Sequence, residues 1–252
     1  MKQHYIGCFC LLAQGEGNRH ISVFVLISLL AIFLSVLGTF TKLRAAEFQN
    51  LDFESVVPPL VPDPNDLFGR VPIESALPYW HGYVAGVEQT SVFYLNSTAG
   101  SAFLAIWAKD VGFPTLEGNY SAAMIPSPSS AVTISQTGHI PGDSRTLHFD
   151  LRSVSPQPMS VNDIFGVFIN GQQLPAVDLL DGPGYSIYGA DVSNFSGQDV
   201  NLTFTAFNLN FPHHFVLDSI SFSPTPVPEP STLALFALAG VLGWRCWRRK
   251  AA

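Results

Sequence analysis

The sequence predicts an all-β protein: a single antiparallel β-sandwich flanked by two short apolar segments. Between residues 47 and 226, short runs rich in Val, Ile, Phe and Thr alternate with Gly, Pro, Asn, Asp and Ser, the punctuation of strands and tight turns. No helical periodicity sustained over about ten residues interrupts them. Asn170-Gly171, directly after Phe165-Gly166-Val167-Phe168-Ile169, supplies the positive φ angles of a two-residue type I′ hairpin, and Gln172–Leu174 starts the returning strand.

In chain order, the first element is an export segment, residues 1–46. Ile21 to Gly38 is almost unbroken apolar sequence, preceded by Lys2, Arg19 and His20 and followed by small residues at Ala45 and Ala46 that suit a signal peptidase. The segment is a signal peptide or an N-terminal membrane helix, with the basic residues on the side that stays inside. The sandwich follows over 47–223. Its predicted strands are Phe48–Phe53, Ser91–Leu95, Ala102–Ala108, Ala131–Gln136, Thr146–Arg152, Ile164–Ile169, Val200–Phe207 and His214–Phe222. Ser193 can cap a single helical turn through Ser196, with Gly197 closing it in a left-handed conformation. A Pro-rich linker, 224–231, leads to an apolar run from Leu233 to Trp244 and a basic tail, together 232–252. That run is shorter than the roughly twenty residues an untilted helix needs to cross a bilayer core, so it reads as a sorting helix.

Val227-Pro228-Glu229-Pro230, the apolar run, and Arg245, Arg248, Arg249 and Lys250 together resemble the C-terminal signal of PEP-CTERM proteins. That resemblance implies recognition by the membrane protease-transpeptidase exosortase, with signal peptidase acting at the other end. It further implies export, transient membrane insertion through both terminal segments, and delivery to the cell surface or extracellular matrix. Gly189 to Gln198, the strands Val200–Phe204 and Val216–Phe222, and Asn50-Leu51-Asp52-Phe53-Glu54 resemble a galactose-binding-like jelly roll of the kind found in carbohydrate-binding modules. The resemblance implies a jelly-roll sandwich with extracellular polysaccharide as partner.

Charge and cysteine usage separate along the same boundaries. Only Arg70, Lys109, Arg145 and Arg152 fall between 47 and 226, against seventeen Asp and Glu, a net of −13. Such a surface disfavours nucleic acid, whose phosphates are met by clustered Lys and Arg. Cys8, Cys10 and Cys246 all lie in the terminal segments, so the sandwich folds without disulfides.

Catalytic signatures are sparse. No Gly-x-Ser-x-Gly elbow accompanies the histidines. Neighbours His213 and His214 would point to opposite faces of a strand and could not share a metal. The chain therefore reads as non-enzymatic, structural or interacting, with carbohydrate binding as the alternative and a glycoside hydrolase or esterase as the minor one.

Two sets of side chains are singled out. Alternation places His214, Val216, Asp218, Ile220 and Phe222 on one face, leaving Asp218 in an apolar stripe where a carboxylate needs partners. Glu54 and Asp52 share a face of the first strand. The jelly-roll resemblance implies that these acids hold a structural calcium, an ion suited to hard oxygen ligands; alternatively Asp218 accepts backbone N–H groups or meets Arg145 or Arg152. For a sugar, the candidate stacking rings are Tyr185 and Tyr188 in the Gly182–Gly189 loop, followed by Tyr79 and Trp80. Trp107 shares a face with Phe103 and Ala105 and reads as core.

Overall fold

The structure is a computed structural model that describes residues 45–62, 64, 66, 69–95, 101–109, 114–154, 160–207 and 214–227. Both apolar terminal segments lie outside these residues. Among the described residues no helix is long and apolar enough to cross a membrane.

Two sheets face each other as a sandwich. One has eight strands in the order β1 (Arg70–Pro72), β4 (Ser91–Tyr94), β5 (Phe103–Ala108), β6 (Tyr120–Ile125), β14 (His214–Ser223), β8 (Thr146–Val154), β12 (Ser186–Asp191) and β11 (Ala176–Asp181). The other has six: β10 (Gln172–Leu174), β9 (Phe165–Ile169), β13 (Asp199–Ala206), β7 (Val132–His139), β2 (His81–Val84) and β3 (Val87–Gln89). Every pairing is antiparallel except one. β4 and β5 run parallel, with Phe93 beside Ala105, within the otherwise antiparallel sandwich the sequence predicts.

The main core fills the space between the sheets. Alternate residues of β8, β9, β13 and β14 meet there, and a run of rings, Trp80, Phe204, Phe149 and Phe165, has centroids 5.4 to 6.3 Å apart. Burying such side chains contributes about 1.5–3 kcal/mol each. A second buried cluster of Phe103, Ala105, Trp107, Ala123, Ile125 and Val216 belongs to β5, β6 and β14, on the residues that alternate with the main-core positions Leu104, Ile106, Ala122, Met124 and Leu217. Trp107 is thus packed away, but on the opposite face of its sheet from the main core.

The Asn170-Gly171 hairpin forms as the sequence predicts: φ is 51° and 80° at the two turn residues, and Ile169 pairs with Gln172. The segment 48–53 does not form a strand. The Gln136 side chain takes its place, accepting from the Gln49 N–H at 2.7 Å and donating to the Gln49 carbonyl at 2.9 Å. Asn50 and Phe53 then turn the chain with φ of 51° and 55°. Near residue 193 a 3-10 turn spans Ser193–Phe195. Its cap is Asp191, whose carboxylate accepts from both the Ser193 N–H and hydroxyl, rather than Ser193 itself.

The stripe around Asp218 also departs from the expected pattern, at Ile220 and Phe222. The β8–β14 register shifts between Asp218 and Ser221, and Ser219 carries a φ of 49°. A bulge of this kind reverses the alternation. Phe215 and Leu217 face the main core before it and Ile220 after it, while Val216 belongs to the second cluster. The five residues expected on one face are therefore divided between two.

Both chain ends of the sandwich leave from one pole, where β7 ends and β8 begins. Glu47 bridges to His139, and the Ala45 N–H donates to Asp199 at 3.0 Å. The Arg145 N–H donates to the Ser223 carbonyl at 2.8 Å and the Thr146 hydroxyl to the Thr225 carbonyl at 2.6 Å. The four sheet edges are each short or interrupted. β1, β3 and β10 have three residues apiece, β1 ends in Pro72, Pro175 follows β10, and β11 is irregular between Asp178 and Leu180.

Candidate functional site

The residues Gly182 to Gly189 form the tip and returning strand of a hairpin, not a free loop. Asp181 pairs with Ser186, and the Gly182 N–H donates to the Tyr185 carbonyl at 2.8 Å. Glycine is required at 182 because a Cβ there would lie 2.6 Å from the Tyr185 ring, which folds back over it. Gly184 turns the tip with a φ of 88°. Tyr188, in β12, packs against the main core, its ring stacked on Phe149 at 5.6 Å with 22° between planes.

These two tyrosines border a cavity of about 350 Å³ with Arg152, Ser153, Asp181 and Ser186. The Tyr185 hydroxyl donates to Glu117 at 2.6 Å. That bond to a carboxylate pushes the phenol up to about 12, since ionising it would leave two anions in contact. Burial raises the Tyr188 phenol as well. Arg152 is the cation of the cavity. It donates to the Pro114 carbonyl, and partial burial lowers its guanidinium below the ordinary value. Chemically the cavity offers ring faces, hydroxyls, one guanidinium and one carboxylate at the border of sheet and solvent.

A set of acids lies close by. Asp218, 1% exposed, accepts from the Ser121 hydroxyl at 2.5 Å, the Ser219 N–H at 2.8 Å and the Glu117 N–H at 3.3 Å. Its cross-strand neighbour is Asp150. Burial raises Asp218 to about 7 and Asp150 to about 6. Glu117, Asp150 and Asp218 together bear on the Tyr185 phenol.

The structure places the three acids expected at a calcium ion on separate tasks. Glu54 accepts from the Asn119 N–H at 2.6 Å, the Tyr120 N–H at 2.9 Å and the Asn119 side-chain amide at 3.0 Å. Asp52 accepts weakly from the Glu54 N–H at 3.3 Å. Glu54 and Asp218 thus hold the same segment, 116–121, through its N–H and O–H donors. Among the described residues no three His, Cys, Asp or Glu side chains are grouped to hold a metal. The reading of Asp218 as an acceptor of backbone N–H groups matches the geometry; Arg145 and Arg152 are not among its hydrogen-bond donors.

Trp80 is core, 4% exposed, against Phe53 and Phe204, with its indole N–H donating to the Asn50 carbonyl at 2.9 Å. It offers no face to a sugar. Tyr79 is 59% exposed, with φ at 73°, and is not among the residues that line the hairpin cavity. Sequence reasoning missed Glu117 and Asp150. Asp150 occupies an outward position of the predicted strand Thr146–Arg152, so the alternation that singled out Asp218 was available to find it.

Val227 is the last described residue. Pro228, Glu229, Pro230, Arg245, Arg248, Arg249 and Lys250 lie outside the described residues. Residues 226–250 match the model of the PEP-CTERM protein-sorting motif. No curated protein matches the sequence at a significant level. Among solved structures, the chain is similar to a β-sandwich carbohydrate-binding module of promiscuous specificity, at 9% identity and a TM-score of 0.37 over 65% of this chain and 63% of that one. A family 11 carbohydrate-binding module from Clostridium thermocellum, in complex with a β-1,3-1,4-mixed-linked tetrasaccharide, aligns at 11% identity and a TM-score of 0.31, over 60% and 91%. The enzymatically active domain of a bacteriophage CBA120 tailspike aligns at 10% identity and 0.33, over 57% and 19%. Residues 226–250, directly after the sandwich, thus carry a PEP-CTERM protein-sorting motif.

Proposed function

We propose that the protein is a non-enzymatic component of the cell surface or extracellular matrix, with a structural or interaction role for its sandwich. The observation that carries this reading is the sorting motif, which begins at residue 226 just after β14 ends at Ser223. Signal peptidase removes or spares the N-terminal segment, and exosortase acts at the C-terminal signal while the sandwich stays outside. The strongly acidic surface suits a protein that remains soluble there without adhering to nucleic acid. The test has two arms. Mass spectrometry of the surface fraction should find the chain without its Arg248-Arg249-Lys250 end, and the same preparation should leave chromogenic glycosides and esters unhydrolysed. Steady turnover that co-purifies with the chain would overturn the non-enzymatic part.

A second reading, retention of extracellular polysaccharide, is favoured by the hairpin cavity. Tyr185 and Tyr188 offer ring faces for stacking on pyranose C–H groups, and Asp181, Ser186 and Arg152 offer directed hydrogen bonds to hydroxyls. Tyr185→Ala with Tyr188→Ala should remove retention on the preferred polysaccharide. Retention equal to wild type in the folded double variant would place the ligand elsewhere.

A further inference from the structure

At the pole opposite the chain ends, β7 begins, β13 finishes, and a cavity of about 400 Å³ opens beside them. Phe207, Gln173, Asp163, Asn162, Ser127 and Ser130 are among its lining residues. It belongs to no site described above and shares no residue with the hairpin cavity. We propose that it is a binding site for a neutral, polyhydroxylated ligand, such as one pyranose unit of a polysaccharide chain.

The walls are built before any ligand arrives. Phe207 is tied down by its N–H, which donates to the Ile164 carbonyl at 2.8 Å. Its ring edge reaches Gly166, where a Cβ would lie 3.1 Å from it. Asn162, in the short helical turn Val161–Ile164, is committed to structure: its side chain donates to the Ala176 carbonyl at 2.9 Å and accepts from the Ala176 N–H at 2.8 Å. On the other side, Ser127 and Ser130 exchange backbone hydrogen bonds at 3.0 Å each, closing a tight turn. A site fixed in this way spends little of its interaction energy on ordering itself.

What remains uncommitted defines the ligand. The Gln173 amide and the Asp163 carboxylate make no side-chain hydrogen bond among the described residues, and Gln173 lies opposite Phe168 across β9 and β10. One aromatic wall, an amide with donor and acceptor, a carboxylate acceptor and serine hydroxyls suit a ligand that is apolar on one face and hydroxylated around its rim. Among the described residues no Lys or Arg lines the cavity. With Asp163 in place and a net charge of −13 over residues 47–226, an anionic ligand meets like charge and no counter-charge. β7 runs eight residues, roughly 25 Å, between this cavity and the pole where Glu47 and Ser223 are held.

The ligand class is that of the hairpin reading, but the residues are different, and the experiment separates the two. The full chain in detergent micelles is run by affinity electrophoresis through gels containing hydroxyethylcellulose, dextran or galactomannan, with polygalacturonate as the anionic comparison. At least one neutral polymer should retard the wild type, and polygalacturonate should not. Gln173→Ala with Asp163→Ala, at exposed positions, should weaken the apparent affinity about tenfold with the melting temperature preserved, as loss of two ligand hydrogen bonds implies. Phe207→Tyr should still bind and Phe207→Ala should not. Tyr185→Ala with Tyr188→Ala should leave this retardation in place. The proposal is overturned if no neutral polymer retards the wild type, if only polygalacturonate does, if the Gln173/Asp163 variant binds as wild type, or if retardation is lost only in the tyrosine variant.

Discussion

Asp150 and Asp218 stand directly opposite each other where β8 pairs with β14, at the edge of the bulge, and the donors that meet them are uncharged. Both carboxyl groups are raised above the ordinary 3.8, to about 6 and about 7, chiefly by burial. The folded protein therefore binds more protons than the unfolded chain between about pH 4 and 7, and stability declines as pH rises through that window. Below it both states are protonated and the pair contributes fully. The melting temperature should fall by several degrees from pH 5 to pH 8, at roughly 2–4 °C per kcal/mol for a chain of this size. Asp150→Asn, which keeps an acceptor for the Ser219 hydroxyl and cannot ionise, should flatten that decline and raise the melting temperature at pH 8. A wild type that gains stability between pH 5 and 8 would contradict the raised pair.

Glu54 gives a second prediction. Its carboxylate holds the Asn119 and Tyr120 N–H groups, so Glu54→Ala should hand those donors to water and cost about 0.5–1.5 kcal/mol. Because N–H groups occupy the acceptor positions, prior treatment with a chelator should leave the wild-type melting temperature unchanged. A rise on adding millimolar calcium to chelator-stripped protein would show that the segment 116–121 rearranges around an ion.

Trp80 should be intolerant of truncation. Trp80→Ala would open a cavity between Phe53 and Phe204 and leave the Asn50 carbonyl without its indole donor, a loss of about 3–5 kcal/mol. Equilibrium denaturation measures it. A loss under about 1 kcal/mol would mean that Trp80 is not core.

The hairpin tyrosines should differ from each other in stability. Tyr185→Phe removes only the bond to Glu117 and should cost less than about 1 kcal/mol, whereas Tyr188→Ala gives up stacking on Phe149 and should cost more. Equal losses would indicate that the two rings are packed alike.

Replacement of Pro228, Glu229 and Pro230 by alanine should leave export intact and retain the C-terminal tail. The readout is the mass of the surface-associated chain. Normal trimming in this variant would show that the triplet is not the determinant recognised during sorting.

The sandwich was legible from its β-branched and aromatic runs, because those residues satisfy the pleated, half-buried environment that strands create. β6 was not, since Ser121, Ala122 and Ala123 carry no strand signal and are placed by their neighbours β5 and β14. β11 and β12 were hidden by Gly and Asp, residues that usually mark loops, although at Gly189 the missing side chain leaves room for the end of Leu179, 2.7 Å from where a Cβ would sit. The reverse error occurred at 48–53, where a single distant side chain, Gln136, supplies the hydrogen bonds a strand would have made. Among the site residues, Asp218 was found by its mismatch with an apolar stripe. Its partners were not, because Glu117 lies about a hundred residues away, and the bulge at Ser219, which returns Ile220 to the main core, has no signal in the alternation.

The sheet edges bear on how such a protein survives its own delivery. Under the proposed delivery to the cell surface, copies gather at high local concentration, where exposed strand edges would recruit one another into stacked cross-β aggregates. Here the edge strands offer three residues each at β1, β3 and β10, two of them closed by proline, and an acidic, irregular ladder at β11. Main-chain recruitment of a neighbour is thereby discouraged on every side. Any lattice these molecules build would be assembled through side chains or through a shared polymer, and would remain dissociable where amyloid would not.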